Sequence, residues 1–180
     1  TGNAIVDKGC GICPLGGQSC HEGGELVAEK STYRSPVPTS LVLGRSNCVR
    51  CRFFITSPVY LPGLKALFDS IALSIRDLND RIEEVSEQLE NLKDERDECE
   101  CAGQSFTKTF ELNRLQSVYE TSVASLDGAM SDAIATYRLS DAVINLLNDE
   151  TPDANDKKLP MVLNDSTLSI ELRESSKFEQ

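Results

Sequence analysis

The sequence has no tryptophan, a single histidine and an aromatic content of only 6% over its 180 residues. So few aromatic side chains argue against a large aromatic-rich sandwich or barrel. No apolar run approaches the ~20 residues that a membrane-spanning helix needs. There is no initiator methionine, and no charged segment followed by an apolar one, so no signal peptide is recognisable. The sequence ends in a polar run and reads like an excised piece of a longer protein.

Basic residues are also scarce: the chain has 18 Lys and Arg but 29 Asp and Glu, which gives a net charge of −11. The first 60 residues hold six basic and four acidic side chains and so carry +2. The remaining twelve basic and 25 acidic residues carry −13. The acidic two-thirds would repel a phosphate backbone. We therefore expect a protein partner or solvent on that part, and DNA contact only in the first third.

Cysteine, by contrast, is abundant. There are seven, an odd number that argues against a simple disulfide framework. Cys48 and Cys51 form one Cys-x-x-Cys pair, and Cys10 and Cys13 form a second, with Cys20 and His21 close by. Cys10 with Cys13 is the simplest second pair of ligands, and Cys13 with Cys20 is the alternative. A Cys-x-x-Cys turn presents two sulfurs to one ion, and four thiolates complete the shell of a structural zinc. The sequence therefore predicts one zinc, bound by Cys48, Cys51 and two of Cys10, Cys13, Cys20 and His21.

Alternatives to zinc are reduced buried thiols, a disulfide pair or a redox pair. A thioredoxin-like role needs a βαβ context, and none is visible. A catalytic zinc keeps an open position and needs a nearby group to move protons. His21 and Glu22 form the only such pair, so a structural zinc is favoured. Cys99 and Cys101 lie at the end of a helical pattern and are interpreted as incidental thiols.

Two helical patterns follow Leu61. The first repeats apolar residues at alternating spacings of four and three, a heptad seam that predicts a helix over about 62–98. Its positions are Leu64, Phe68, Ile71, Ile75, Leu78, Ile82, Val85, Leu89 and Leu92. After a break at Gly103, a second pattern reaches Asn148. Its apolar positions are Phe110, Leu112, Leu115, Tyr119, Val123, Leu126, Met130, Ala133, Tyr137, Ile144 and Leu147.

These patterns predict a mainly α protein. A small Cys-rich zinc-binding segment with short strands (1–60) precedes a long antiparallel, coiled-coil-like helical hairpin (61–150), and a loop and tail (151–180) lead to an absent downstream region. A short polar turn between two long helices favours the hairpin, although the heptads also allow an oligomerisation arm. The run 52–56 is rich in β-formers and predicts a short strand. Residues 152–158 are expected to be loop, and 168–172 fit strand or helix.

Several motifs together resemble one known family. They are Cys13-Pro14, Cys20-His21-Glu22-Gly23-Gly24-Glu25, Pro36-Val37-Pro38, the run Asn47 to Thr56, and Leu61-Pro62-Gly63-Leu64. Over about residues 10–68 they resemble bacterial mobile-element proteins that are integrase-like relatives of phage-type site-specific recombinases. The resemblance implies DNA integration or recombination as the process. It also favours Cys13 and Cys20 as the zinc ligands beside Cys48 and Cys51, with Cys10 and His21 as alternates.

The catalytic signature of such recombinases is not recognisable. They need arginines, a lysine, histidine and a nucleophilic tyrosine, and no tyrosine of this chain has arginine and histidine near it in sequence. We therefore expect a non-enzymatic, zinc-stabilised interaction or scaffold region in a cytoplasmic bacterial protein. Its partners would be itself or other mobile-element proteins, with no membrane and no small-molecule substrate. The alternatives are a zinc-ribbon-type DNA-binding module using Arg45, Arg50 and Arg52, and a metal or thiol enzyme.

Overall fold

The structure is a computed structural model that describes residues 5–20, 23, 47–149, 158–163 and 166–171. Two helices of 41 residues each dominate it and pack against each other, so the prediction of a mainly α chain with two long helices is confirmed. Five strands form a small sheet. The elements are β1 (Val6–Asp7), β2 (Ile12–Cys13), β3 (Ile55–Thr56), a 3-10 turn (Pro58–Tyr60), α1 (Leu61–Cys101), α2 (Thr109–Asp149), β4 (Lys158–Leu163) and β5 (Ser166–Glu171).

α1 begins and ends where its local sequence dictates. Pro62 lies in the first turn, where its missing N–H costs no hydrogen bond. At the other end, Gly103 has a φ of +65°, the left-handed conformation that glycine adopts without strain. The N–H of Gln104 then donates to the Cys99 carbonyl (2.8 Å) and that of Gly103 to the Glu100 carbonyl (3.1 Å). This pair of bonds is a Schellman motif, which stops the helix three residues beyond the predicted end.

The heptad seam of α1 is its least exposed side, with one correction. Leu64, Val85, Leu89 and Leu92 are buried, and the seam positions between 71 and 82 are half-buried. Phe68, however, is 37% exposed, and its neighbour Leu67 packs against the apolar core instead. Near its start, α1 therefore turns position 67 inward, because there it packs on the core cluster beside the sheet.

For the second half of α2, the prediction of which apolar positions are buried is wrong. Met130, Tyr137, Ile144 and Leu147 are all exposed. The buried positions are Ser122, Thr136, Leu139 and Val143. The inner face of α2 therefore includes hydroxyl side chains, which hydropathy does not flag. Such side chains can bond to carbonyls of their own helix, as the Ser140 hydroxyl does to the Thr136 carbonyl (2.9 Å).

The sheet has the strand order β1-β2-β3-β4-β5 and is antiparallel throughout. The expected strand over 52–56 is present in its last two residues as β3. β4 lies in the region expected to be loop and tail, whereas β5 is the strand alternative for the run that fits strand or helix. β4 is not recognisable as a strand in the sequence, because Pro160 interrupts the strand pattern. In the structure only Val162 and Leu163 of β4 pair with β3, so Pro160 lies where the partner on that side has already ended.

The chain divides into two compact units. The first comprises Thr1–Asp69 and Ile134–Gln180, and the second Ser70–Ala133. The core of the first unit joins the sheet region to the helix ends that belong to this unit. Its fully buried members are Phe54, Leu64, Val143 and Val162, with Cys10, Val49 and Leu139 around them. In the second unit the Lys108 ammonium and the Glu95 carboxylate form an ion pair at 2.7 Å.

Candidate metal centre

Cys10 and Cys13 belong to the hairpin formed by β1 and β2. The Lys8 N–H donates to the Gly11 carbonyl (2.8 Å), which closes the turn between them. Cys10 is only 9% exposed and belongs to the apolar core. Its carbonyl accepts a hydrogen bond from the buried Thr56 hydroxyl (2.9 Å). Burial raises the pKa of the Cys10 thiol, so its surroundings favour the neutral form.

Cys13 and Cys20 are brought together through one glycine. The Gly17 N–H donates to the Cys13 sulfur at 3.4 Å, and the Cys20 thiol donates to the Gly17 carbonyl at 3.2 Å. Gly16 and Gly17 both have positive φ, 61° and 77°, which residues with a Cβ rarely adopt. Two consecutive left-handed residues fold the segment back on itself, so that both sulfurs lie beside Gly17.

Cys48 and Cys51 form a tight turn of their own. The Cys51 N–H donates to the Cys48 carbonyl at 2.9 Å, and the Phe54 N–H donates to the Cys51 carbonyl at 3.0 Å. Burial raises the pKa of the Cys51 thiol, while backbone N–H groups of Phe53 and Phe54 oppose that shift by stabilising the thiolate. N–H donors aimed at a cysteine sulfur are suited to a metal-bound thiolate, which needs its negative charge stabilised.

Gly23 links the segment that carries Cys13 and Cys20 to the Cys48–Cys51 turn. Its N–H donates to the Cys20 carbonyl (3.4 Å), and its own carbonyl accepts from the Arg52 N–H (2.8 Å). A Cβ placed on Gly23 would lie 2.5 Å from the Cys51 sulfur, a separation that real side chains essentially never show. The chain therefore passes close over this thiol, and a side chain at position 23 would force the sulfur to move.

The thiols of the two substructures are close enough to influence one another electrostatically. The pKa of Cys48 is raised to about 11, first by burial and then by Cys10, Cys51 and Cys13. After burial, which is the largest cause, the neighbouring Cys13 and Cys20 also raise the pKa of Cys51. Cys51 thus interacts electrostatically with both Cys13 and Cys20. Cys10 acts on Cys48 and is otherwise packed in the core.

All seven cysteines are free thiols. Among the residues that the structure describes, no three His, Cys, Asp or Glu side chains form a group arranged to hold a metal ion. His21 and Glu22 lie outside the described residues, so their predicted roles have no structural account. The donor chemistry nevertheless suits zinc, because thiolate is a preferred zinc ligand. Gly23 lies against the Cys51 sulfur and is hydrogen-bonded to the Cys20 carbonyl.

The remaining predicted residues lie elsewhere. Cys99 and Cys101 occupy the last turn of α1, where Cys99 is half-buried and Cys101 exposed. The Arg52 guanidinium lies over the Phe53 ring, 4.7 Å from its centroid, and Arg50 is half-buried. Arg45 is outside the described residues. From the sequence, Gly17 and Gly23 are expected only to allow tight turns close to a metal, because nothing in a single sequence distinguishes a glycine that touches a sulfur from one in an open turn. Thr56 carries no signal of its own.

Comparison with known protein families, with curated proteins and with solved structures finds no match. No helix in the described part of the chain combines the length and the apolar character needed to cross a membrane.

Proposed function

We propose that this chain is a zinc-stabilised helical interaction domain, acting as a scaffold without catalytic residues of its own. The observation that carries the proposal is the contact between Gly23 and the Cys51 sulfur. With the hydrogen bonds from the Gly23 N–H to the Cys20 carbonyl and from the Arg52 N–H to the Gly23 carbonyl, it links the segment of Cys13 and Cys20 to the Cys48–Cys51 turn.

The proposed ligands are Cys13, Cys20, Cys48 and Cys51. Cys10 is the less suitable donor, because it is itself a buried member of the apolar core. His21 remains an alternate ligand. Four thiolates would complete the tetrahedral shell and leave no position for water, so the zinc would be structural.

The architecture of the first unit explains why a metal would matter there. β1, β2 and β3 have two residues each, far below the usual strand length of ~5–6 residues. Strands this short contribute few ladder hydrogen bonds, and small folds with limited cores commonly depend on a metal or disulfides. In such domains the binding energy of the ion is also folding energy.

The interaction role is supported by the surface of α2. Large apolar side chains are exposed along this helix, among them Met130, Tyr137 and Ile144. Exposed apolar side chains that follow one helix face are typical of protein-binding surfaces. The placement of the domain in an integrase-like mobile-element protein, with DNA integration or recombination as the process, depends on the motif resemblance of residues 10–68 alone.

The metal assignment can be tested with cobalt(II) as a spectroscopic substitute for zinc. Tetrahedral thiolate ligation gives strong sulfur-to-cobalt charge-transfer absorption, and its intensity reports the number of thiolates. We expect Cys13→Ser, Cys20→Ser, Cys48→Ser and Cys51→Ser each to weaken this absorption. Cys99→Ser is the matched control and should leave the spectrum unchanged. Loss of signal with Cys10→Ser but not with Cys20→Ser would replace the proposed ligand set with the alternative one.

A further inference from the structure

A small groove opens between α1 and α2 inside the second unit. It measures about 200 Å³, below the ~300–1,000 Å³ of pockets that hold drug-sized ligands, so its size suits a small ion. Its lining is largely polar, and we call it the hydroxyl groove. The lining side chains that carry the argument are Arg81 of α1 and four hydroxyl residues of α2, Ser117, Thr121, Ser122 and Ser125.

Ser122 is the buried residue of the hydroxyl groove. It is only 5% exposed, and its hydroxyl has no hydrogen-bond partner among the residues that the structure describes. Burying an unpartnered hydroxyl costs free energy. No described side-chain oxygen is both sealed from solvent and unbonded, so the Ser122 hydroxyl reaches the groove. A ligand in the groove can therefore supply the partner that the protein does not.

Arg81 is the only cation that lines the groove, and its guanidinium also has no partner in the described part of the chain. The acids one turn away on α1 are engaged elsewhere. Asp77 pairs with Arg76 at 3.6 Å, and Glu84 accepts a hydrogen bond from the Gln88 amide at 3.3 Å. A guanidinium offers five N–H donors and no acceptor, and its fork matches the oxygens of carboxylates and phosphates. The groove thus holds a charged donor that no protein group satisfies.

The other hydroxyls of the groove restrict the ligand further. Thr121 donates to the Ser117 carbonyl at 2.7 Å, and Ser125 donates to the Thr121 carbonyl at 2.8 Å. A hydroxyl has one proton to donate, so as bonded these two oxygens can only accept from a ligand. An oxyanion that still carries an O–H group matches both the donors and the acceptors. Hydrogen phosphate has such a group at neutral pH, whereas sulfate, which has the same tetrahedral shape, does not.

We propose that the hydroxyl groove binds a small tetrahedral oxyanion that carries an O–H group, of the class of inorganic phosphate. Arg81 and Ser122 donate to its oxygens, and Thr121 and Ser125 accept its proton. The site goes beyond the scaffold role proposed above and depends neither on that role nor on zinc, since its residues all belong to the second unit. The net charge of −11 opposes an anion, so binding is weak, with a dissociation constant of about 1 mM or above.

The experiment is a titration of the full, nitrogen-15-labelled chain with sodium phosphate at constant ionic strength, followed by its amide and arginine side-chain resonances. Phosphate causes saturable shifts that are confined to the residues lining the groove and to the Arg81 side chain. Sulfate at the same ionic strength binds several-fold more weakly, because it has no proton to donate to the two acceptor hydroxyls.

Two variants separate binding from folding. Arg81→Gln weakens phosphate binding at least about tenfold, because it removes the charged donor. Arg96→Gln is the matched control, an arginine of the same helix whose partners are Asp97 and Glu100 and which does not line the groove. Ser122→Ala weakens binding several-fold and leaves the melting temperature without phosphate unchanged or raised, because the hydroxyl it removes has no protein partner.

Three results overturn the proposal. The first is the absence of saturable shifts up to about 50 mM phosphate, far above the expected range, which would mean that the groove holds water alone. The second is an Arg81→Gln variant that binds phosphate as the wild-type chain does. The third is equal affinity for sulfate and phosphate, which would remove the role of the acceptor hydroxyls. A lowered melting temperature for Ser122→Ala would contradict the assignment of Ser122, because it would show that the hydroxyl has a structural partner.

Discussion

At the scale of single residues, the site depends most on a residue that cannot bind a metal. Gly23 leaves no room for a side chain over the Cys51 sulfur and accepts the Arg52 N–H. Cys-x-x-Cys spacing predicts Cys48 with Cys51, and Cys10 with Cys13, as candidate ligands, whereas Cys20 is favoured only by the motif resemblance. The role of Gly23 could not be predicted, because it depends on a contact between residues 28 positions apart.

Gly23→Ala should destabilise the chain by about 1–3 kcal/mol, the usual cost of forcing an extra methyl into a filled space, and should also weaken metal binding. Gly128→Ala is the matched control, since a Cβ there meets nothing within 4 Å. It lies inside α2 and should stabilise by about 0.5–1 kcal/mol. Urea denaturation of both variants measures the difference. Equal midpoints for the two would mean that Gly23 does not lie against the sulfur.

At the scale of elements, the helices could be predicted and their inner faces only in part. The alternating spacing of four and three located α1 and most of its buried side. On α2 the same kind of pattern, over Met130, Tyr137 and Ile144, lies on the outside. The inner face includes Ser122 and Thr136, whose buried positions carry no apolar signal. β1 and β2 are too short to give any periodicity, and β4 contains a proline.

The corrected side of α1 can be tested with two neighbouring seam positions. Leu64 is fully buried and Phe68 is 37% exposed. Leu64→Ala should cost about 2–5 kcal/mol of unfolding free energy, as for other buried leucines. Phe68→Ala should cost less than about 1.5 kcal/mol, although it removes the larger side chain, because its ring is already partly in water. Thermal or urea unfolding gives both values. If Phe68→Ala cost more unfolding free energy than Leu64→Ala, Phe68 would belong to the buried side, as the uninterrupted heptad pattern predicts.

At the scale of the whole molecule, the two units differ in their expected dependence on metal. The proposed ligands all belong to the first unit, whereas the second unit, Ser70–Ala133, has buried residues of its own. These include Val85, Leu89 and Ser122. A helical segment with its own buried contacts should persist when another part of the chain loosens.

Chelation should therefore leave most of the helical circular dichroism at 222 nm intact. Chelator treatment of the Cys48→Ser variant is the control and should add no further change. Collapse of the helical signal on adding chelator to the wild-type chain would show instead that the metal segment is needed for the helices to form.

The charge distribution limits what the chain can do with DNA. With a net charge of −11, any binding should be weak and should fall steeply with salt. Replacing Arg45, Arg50 and Arg52 together by Ala should abolish it, since these are the clustered cations outside the acidic helices. The chain should neither cut nor join DNA. A titration at two salt concentrations and a strand-cleavage assay check this, and tight binding that survives the triple replacement would contradict it.

The central proposal is that Cys13, Cys20, Cys48 and Cys51 hold one zinc ion. The most direct test is elemental analysis of the chain purified without chelator, combined with titration of its free thiols under native conditions. The account predicts about one zinc per chain, with four of the seven cysteines becoming reactive only when a chelator is added. Cys10, buried in the core, should stay unreactive in both conditions. The account would be contradicted if the purified chain held no stoichiometric metal and if adding chelator to the native chain made no further thiol reactive. Titration after unfolding should then still count all seven thiols.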